Sequence, residues 1–304
     1  LIVTDNVGGS QETQYNLTQP ASALSATYSA SDVNCFGANN GSIGITAQGG
    51  TPPYSYLWKR GTTTLPITTA SINNLSPGSY SCQVIDSKGC VYEINAITIS
   101  EPAVIEIVFF NVTHLVDASS NTGAISVSAI GGSGSLSYQW NTGQTTASIA
   151  NLAAGSYALT ITDVNNPSCT LVESYTVTAP PLFTVNIQED NEIACYGEST
   201  AVLTAVASGG TQGNSPNEYS YSWSGPTIPF TEPTNLASLS NLPAGTYTVQ
   251  VRDANNVLRT QSFTVTEPSV LTASYTKTDS SCFGLNNGSI NLTPSGGTPS
   301  YTFS

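Results

Sequence analysis

Six cysteines, nineteen acidic residues and a single histidine are the side chains from which reactive or ligating chemistry would have to be built. The cysteines show no C-x-x-C spacing of the kind that holds zinc. Cys35, Cys195 and Cys282 each stand 14 residues before a Gly-Gly pair, and Cys90 and Cys169 each follow shortly after an aspartate, Asp86 and Asp163. Such placement suits disulfide chemistry in an oxidising, protease-exposed setting. Cys82 fits neither class and reads as a buried thiol in a strand. A histidine-dependent triad would need His114, and no G-x-S-x-G elbow accompanies it, so His114 reads as structural. No Walker A or dinucleotide-binding glycine pattern occurs. Glu189-Asp190 and Glu192 could be imagined as an acid and base pair, but they lack counterparts elsewhere in the chain and read as solvated loop charge.

Calcium chemistry has a candidate in Asp5-Asn6, Asp163 with Asn165-Asn166, and Asp253 with Asn255-Asn256. Ca²⁺ takes six to eight oxygens, so one carboxylate with amides is a thin set. An aspartate that caps its own tight turn explains the same string without metal. Tyr92 and Phe109-Phe110 are the aromatic side chains expected to be exposed, although nothing organises them into a sugar-stacking platform. No cofactor is implied, and the expectation is a protein that is not an enzyme.

Composition narrows the class. Charged residues make up 8 % of the chain and hydrophobic residues 39 %. Disordered chains show the opposite balance. The formal charge of −13, from 19 acids and 6 bases, repels nucleic acid backbones and anionic lipid. No apolar run reaches the length of a membrane span, and any targeting signal or anchor is expected to lie outside this chain.

Internal repetition decides the organisation. Closing prolines stand at Pro20, Pro102, Pro180 and Pro268, and Gly-Gly pairs at Gly49-Gly50, Gly131-Gly132, Gly209-Gly210 and Gly296-Gly297. Trp58, Trp140 and Trp223 follow the first three pairs. A P/A-G-S/T-Y string ends at Tyr80, Tyr157 and Tyr247, with Asp86, Asp163 and Asp253 six residues later. The chain therefore reads as three complete repeats, 22–102, 103–180 and 181–268. Residues 1–21 would be the tail of a preceding repeat and 269–304 the head of a following one. Neither partial repeat can bury a core of its own, so the natural protein is expected to continue in both directions.

The residues between these landmarks alternate with period two. Ile43 and Ile45 correspond to Ile125 and Val127, and Tyr80, Cys82 and Val84 to Tyr157, Leu159 and Ile161. Ile97 and Ile99 correspond to Tyr15 and Leu17, Tyr175 and Val177, and Phe263 and Val265. Period two is the signature of half-buried strands. About seven strands per repeat, a Trp on the third and a Tyr entering the sixth predict all-β, tandem immunoglobulin-like antiparallel β-sandwich modules of about 80 residues. Short linkers predict an elongated array, on the order of 150 Å for the chain at one sandwich per roughly 40 Å.

The strings CFGANNGSI (35–43), CFGLNNGSI (282–290), GGTPPYSYLW (49–58), LSPGSY (75–80), VIDSKGC (84–90) and ITISEP (97–102) resemble the SprB repeat family. That resemblance implies very large surface proteins of gliding Bacteroidota, exported by the type IX secretion system. On it the chain is expected to be an extracellular, structural stalk segment of a giant adhesin in gliding motility and surface attachment. Attachment to the outer membrane would run through regions outside this chain. Its expected partners are further repeats of the same chain, surface polysaccharide or substratum, and outer-membrane secretion and motility machinery. The competing expectation is a set of glycan-binding accessory modules of a carbohydrate-processing surface protein. The second repeat departs from the family pattern at NVTHLVDASSNTGAI and the third at DANNVLRT, each without cysteine.

In such a sandwich the first loop and the last hairpin lie at opposite poles, too far apart within one repeat for the Cα separation below 7 Å that a disulfide needs. Across a joint they are neighbours. Cys35 is therefore expected to bond Cys169 of the next repeat, with an intra-repeat Cys35–Cys90 bond as the alternative. Cys90 would then pair with a residue preceding the chain, Cys195 with one following it, and Cys282 with one further on. Asp117 replaces the first-loop cysteine of the second repeat, and the hairpin cysteine is missing near Val257 of the third. The joint between those two repeats is accordingly expected to lack a staple and to flex.

Overall fold

A computed structural model describes residues 1–211, 219–226, 228 and 236–304. Among these residues the secondary structure is all β. Among the described residues no helix is long and apolar enough to cross a membrane.

The first repeat supplies β3 (Ser25–Ser31), β4 (Gly41–Gln48), β5 (Ser55–Arg60), β6 (Thr63–Thr64), β7 (Ser71–Leu75), β8 (Gly78–Ile85) and β9 (Val91–Ile99), after β1 (Ile2–Thr4) and β2 (Ser10–Glu12) of the N-terminal segment. The second supplies β10 (Ala103–Thr113), β11 (Gly123–Gly132), β12 (Leu136–Trp140), β13 (Ser148–Leu152), β14 (Gly155–Asp163) and β15 (Thr170–Val177). The third supplies β16 (Thr184–Asn191), β17 (Ala201–Ser208), β18 (Ser220–Ser224), β19 (Ser238–Leu242), β20 (Gly245–Arg252) and β21 (Leu258–Val265), followed by β22 (Thr272–Thr278) and β23 (Ser289–Ser295). Seven strands thus appear in the first repeat, and six in the second and among the described residues of the third.

The sheet orders are the same each time. They run β3-β4-β7 and β6-β5-β8-β9, then β10-β11-β13 and β12-β14-β15, then β16-β17-β19 and β18-β20-β21. In the first repeat the first, second and fifth strands form one sheet and the third, fourth, sixth and seventh the other; the second and third repeats keep this arrangement without a counterpart of the short β6 among the described residues. This is the immunoglobulin-like sandwich topology.

The chain divides into two compact units. The first comprises Leu1–Asn111, Ser126–Ser148 and Tyr157–Ser174. Its largest core places Ile43, Ile45, Trp58, Ile72, Tyr80, Cys82, Val84, Ile97 and Ile99 among buried neighbours. The alternation on β4, buried at Gly41, Ile43 and Ile45, is what a strand with one solvated face requires. β12 pairs with β14 from Leu136↔Asp163 to Trp140↔Leu159. In the N-terminal segment Tyr15 and Leu17 are exposed and lie outside any strand. Their counterparts Ile97 and Ile99 are buried, because a facing sheet covers them.

The second unit comprises Val112–Ile125, Ile149–Ser156 and Tyr175–Ser304. Its largest core gathers Phe183, Leu203, Trp223, Leu242, Tyr247, Val249, Val251 and Val265. Leu115, Ile125, Ile149, Leu152 and Val177 are also buried in this unit. β22 and β23 pair from Thr272↔Ser295 to Thr278↔Ser289, yet Tyr275, Ile290 and Leu292 remain exposed, since two strands make only part of one layer.

Candidate functional site

The Gly-Gly pair and the repeat aspartate form one structure. In the second repeat Asp163 Oδ2 accepts the Ser133 amide at 2.6 Å and the Ser133 hydroxyl at 2.7 Å, while Oδ1 accepts the Asn165 amide at 2.9 Å. Asp86 accepts amides from Thr51, Lys88 and Cys90, and Asp253 from Thr211, Asn255 and Val257, all at 2.9 Å. All three aspartates are buried. Each ties the loop after the Gly-Gly pair to the last hairpin. The Cys90 and Thr51 amides hold the Asp86 carboxyl below its usual range, and the Ser133 amide and hydroxyl do the same for Asp163. These carboxylates face N–H donors, which is the reverse of a cation cage. No group of three or more His, Cys, Asp or Glu suited to a metal occurs among the described residues.

Both glycines are dictated by this structure. A Cβ on Gly131 would lie 1.8 Å from the Val104 carbonyl oxygen. Gly132 has φ +71° and its Cβ would lie 2.9 Å from Asp163 Oδ2. The pair is therefore a turn element and not a phosphate loop.

Other polar anchors repeat too. Trp58 Nε1 donates to Thr69 O and Trp140 Nε1 to Thr146 O, both at 2.9 Å. Tyr80 donates its hydroxyl to Ser76 O and Tyr247 to Pro243 O, both at 2.9 Å. These two bonds, each reaching four residues back, form the tyrosine corner. The core aromatics thus serve packing and hydrogen bonding. Tyr92, Phe109 and Phe110 are exposed.

The hairpin aspartate fixes the position just before the last strand, where the second cysteine class stands. The Asp86 amide donates to Cys90 O at 3.0 Å, Asp163 to Cys169 O at 3.1 Å and Asp253 to Val257 O at 3.2 Å. Cys90, Cys169 and Val257 are therefore equivalent positions, even though the middle hairpin is two residues longer.

Within the first unit, Cys35 and Cys169 are brought together. They form a disulfide with Cα atoms 5.5 Å apart. Asn34 Nδ2 donates to Ser168 Oγ at 3.1 Å beside it. Cys90 is exposed and is not bonded to Cys35. Cys82 is buried, and burial pushes its thiol up to about 11. The Gly37 amide in the Cys35 turn donates to Glu101 Oε2 at 2.8 Å. A shallow cleft of about 280 Å³ beside the disulfide is lined by Phe36, Pro102, Val104 and Leu171, among others. Asp163, Ser168 and Thr170 supply its polar lining.

Within the second unit, the Gly197 amide donates to Glu267 Oε2 at 2.6 Å, repeating the Gly37–Glu101 bond. Cys195 is exposed, and Thr298 Oγ1 donates to the carbonyl of its neighbour Ala194 at 2.7 Å. Cys282 is an exposed thiol. His114 Nδ1 accepts the Thr178 amide at 3.1 Å, where Asp32 accepts the Ser100 amide in the first repeat. Glu189 is raised above its usual range by burial and by Glu192.

The joint expected to be empty is closed by charge. Arg259 Nη2 lies 3.0 and 2.9 Å from the two oxygens of Asp117. The Ser119 amide, followed by the Arg259 guanidinium, holds the Asp117 carboxyl below its usual range. The sequence signal was available: Asp stands at the cysteine position, and Arg lies two residues beyond Val257 on the same strand face. The Glu101 and Glu267 anchors were equally visible. A Glu precedes the closing Pro where the loop reads C-x-G, whereas Ala179 takes its place in the repeat that has Asp117.

The SprB repeat family model matches residues 27–63, 118–145 and 274–304. No curated protein matches the chain. Among solved structures, the three N-terminal domains of the Hoc outer capsid protein of bacteriophage RB49 are 15 % identical, covering 80 % of this chain and 97 % of that one at a TM-score of 0.36. The N-terminal eight immunoglobulin domains of Down syndrome cell adhesion molecule are 14 % identical, covering 88 % and 39 % at 0.39. Sidekick-1 immunoglobulin domains 1–5 are 12 % identical, covering 84 % and 59 % at 0.34.

Proposed function

We propose that this chain, which carries SprB repeats in tandem, is a tension-carrying stalk segment of a cell-surface adhesin, displayed outside the cell and serving gliding motility and surface attachment. The observation that carries this reading is the Cys35–Cys169 bond, which ties one repeat to the next. A staple placed there changes how force travels. Tension entering through β3 reaches Cys35, crosses the disulfide to Cys169 and leaves along β15. The residues in between, 133 of them for a separation of 134, carry no load. An oxidising exterior keeps such a bond formed.

Single-molecule stretching of the chain by its two ends tests the reading. Reduction, or the C169S variant, is expected to release about 450 Å of additional extension, at roughly 3.4 Å per residue. An unchanged contour length would overturn it. The glycan-binding alternative has the exposed Phe36 beside the 280 Å³ cleft in its favour. Reproducible micromolar binding on a glycan array by the purified chain would replace the stalk reading with that one.

A further inference from the structure

We propose that Asp117 and Arg259 form a releasable ionic clasp that occupies the place of the disulfide, so that the array contains one joint that opens reversibly and one that does not. This deepens the stalk reading but does not depend on adhesion itself, since it concerns only how two repeats are held.

Position is the first ground. Asp117 stands 14 residues before Gly131, as Cys35 does before Gly49. Val257 accepts the Asp253 amide as Cys169 accepts that of Asp163. Arg259 lies two residues past Val257, and side chains two apart share one face of a strand. The acid and the base therefore project where the two sulfurs would meet.

Preorganisation is the second ground. Asp117 is fixed within its own repeat before the arginine arrives. Its Oδ1 accepts the Ser119 amide at 3.0 Å and the Ser119 hydroxyl at 2.9 Å. Arg259 is fixed within its own repeat as well. Its Nε donates to Phe183 O at 3.2 Å, and its guanidinium carbon sits 5.7 Å from the centroid of the Phe183 ring. That ring stacks on Tyr219 with centroids 5.6 Å apart. An incidental surface ion pair loses most of its Coulomb gain to ordering two free side chains. Here both are already ordered, and the charged groups are only 29 % and 15 % exposed. Arg259 Nη2 also reaches Ser119 Oγ at 3.2 Å, so the acceptor is a small pocket and not one oxygen. The chain has only six basic residues, and one of them is committed here.

The two joints then differ in what breaks them. The disulfide yields to a reductant and ignores salt. The clasp weakens under ionic screening, whose range falls to about 3 Å at 1 M salt, although less than a fully exposed pair would, and it re-forms on dilution without any covalent step.

Two measurements on the full chain decide the matter. First, a D117C/V257C variant is expected to form a 117–257 disulfide alongside 35–169, with the thiols giving up two electrons and two protons to an added glutathione disulfide buffer. Non-reducing peptide mapping reads the link. Thiols left free at 117 and 257 in a chain that has formed 35–169 would show that the positions are not equivalent and would overturn the proposal. Second, small-angle scattering at 50 mM and 1 M salt is expected to show a reversible shift of the distance distribution in the native chain. The shift should vanish in D117N, which starts open, and in the oxidised double-cysteine variant, which stays closed. A native chain indifferent to salt, or a D117N chain that responds as the native one does, would equally overturn it.

Discussion

Asp163 reaches back 30 residues to accept the Ser133 amide at 2.6 Å, and its Cβ and Oδ2 fill the space that a side chain on Gly132 would need. One carboxylate thus sets the loop after β11, the hairpin after β14 and the identity of a glycine. Asp86 and Asp253 do the same in their repeats.

Removing one of these carboxylates leaves several amides without an acceptor in a buried place. For Asp253→Ala, three donors at 2.9 Å lose their partner, at a cost of about 3 kcal/mol to that repeat. Chemical denaturation should show this loss, and Asp253→Asn should recover part of it. A substitution that leaves the midpoint unchanged would contradict the anchoring role.

Acid should unfold the repeats through the same groups. The folded-state pKa of Asp86 and Asp163 lies below the ordinary aspartate value, held down by the amides of Cys90 and Thr51 and by the Ser133 amide and hydroxyl. A depressed carboxyl contributes stability that is complete above the unfolded pKa and is lost as pH falls through the folded one. Thermal melts should therefore be flat from neutral pH down to about pH 5 and fall steeply below about pH 4. Asp163→Asn should lower the plateau and flatten the acid limb. An acid limb equally steep in that variant would place the sensitivity elsewhere.

Much of this was legible in the sequence, and the reason is physical. Gly131 and Gly132 are fixed by backbone clashes, Trp140 and Tyr247 by burial, and Asp163 by local turn geometry, so each leaves a mark at a constant offset. Cys35 and Cys169 could be matched because opposite poles of one sandwich become neighbours across a joint. The Arg259–Asp117 contact was harder to read. A missing cysteine pair looks like an absence, and only the two-residue strand periodicity links Arg259 to the vacated position. The long reach of Asp163 to Ser133 was also hidden, because a turn-capping aspartate and a loop-tying one look alike in sequence. Tyr15 and Leu17 show the converse, since a correct alternation stays exposed where no second sheet covers it.

The tyrosine corner gives a smaller and cleaner prediction. Tyr247 is fully buried, and its hydroxyl donates to Pro243 O at 2.9 Å. Tyr247→Phe keeps the ring and removes that donor, costing about 1 kcal/mol. For a repeat of this size that is a fall of about 4–8 °C in Tm. The transition of the third repeat should move while those of the others stay.

Stability of the stapled pair should depend on the Cys35–Cys169 bond and not on the exposed Cys90. Closing a loop with a sequence separation of 134 removes denatured-state entropy worth about 5 kcal/mol in the chain-entropy treatment. Neither cysteine lies inside a strand, so replacing one leaves the native pairing of both sandwiches intact. C35S and C169S should each lower the denaturation midpoint of the first two repeats, and the double variant should lower it no further, because the two act as one bond. C90S removes an exposed thiol and should change nothing. Denaturant titrations of the four variants, with and without reductant, check all of this, and a C90S effect as large as that of C35S would contradict the assignment of stability to the 35–169 bond.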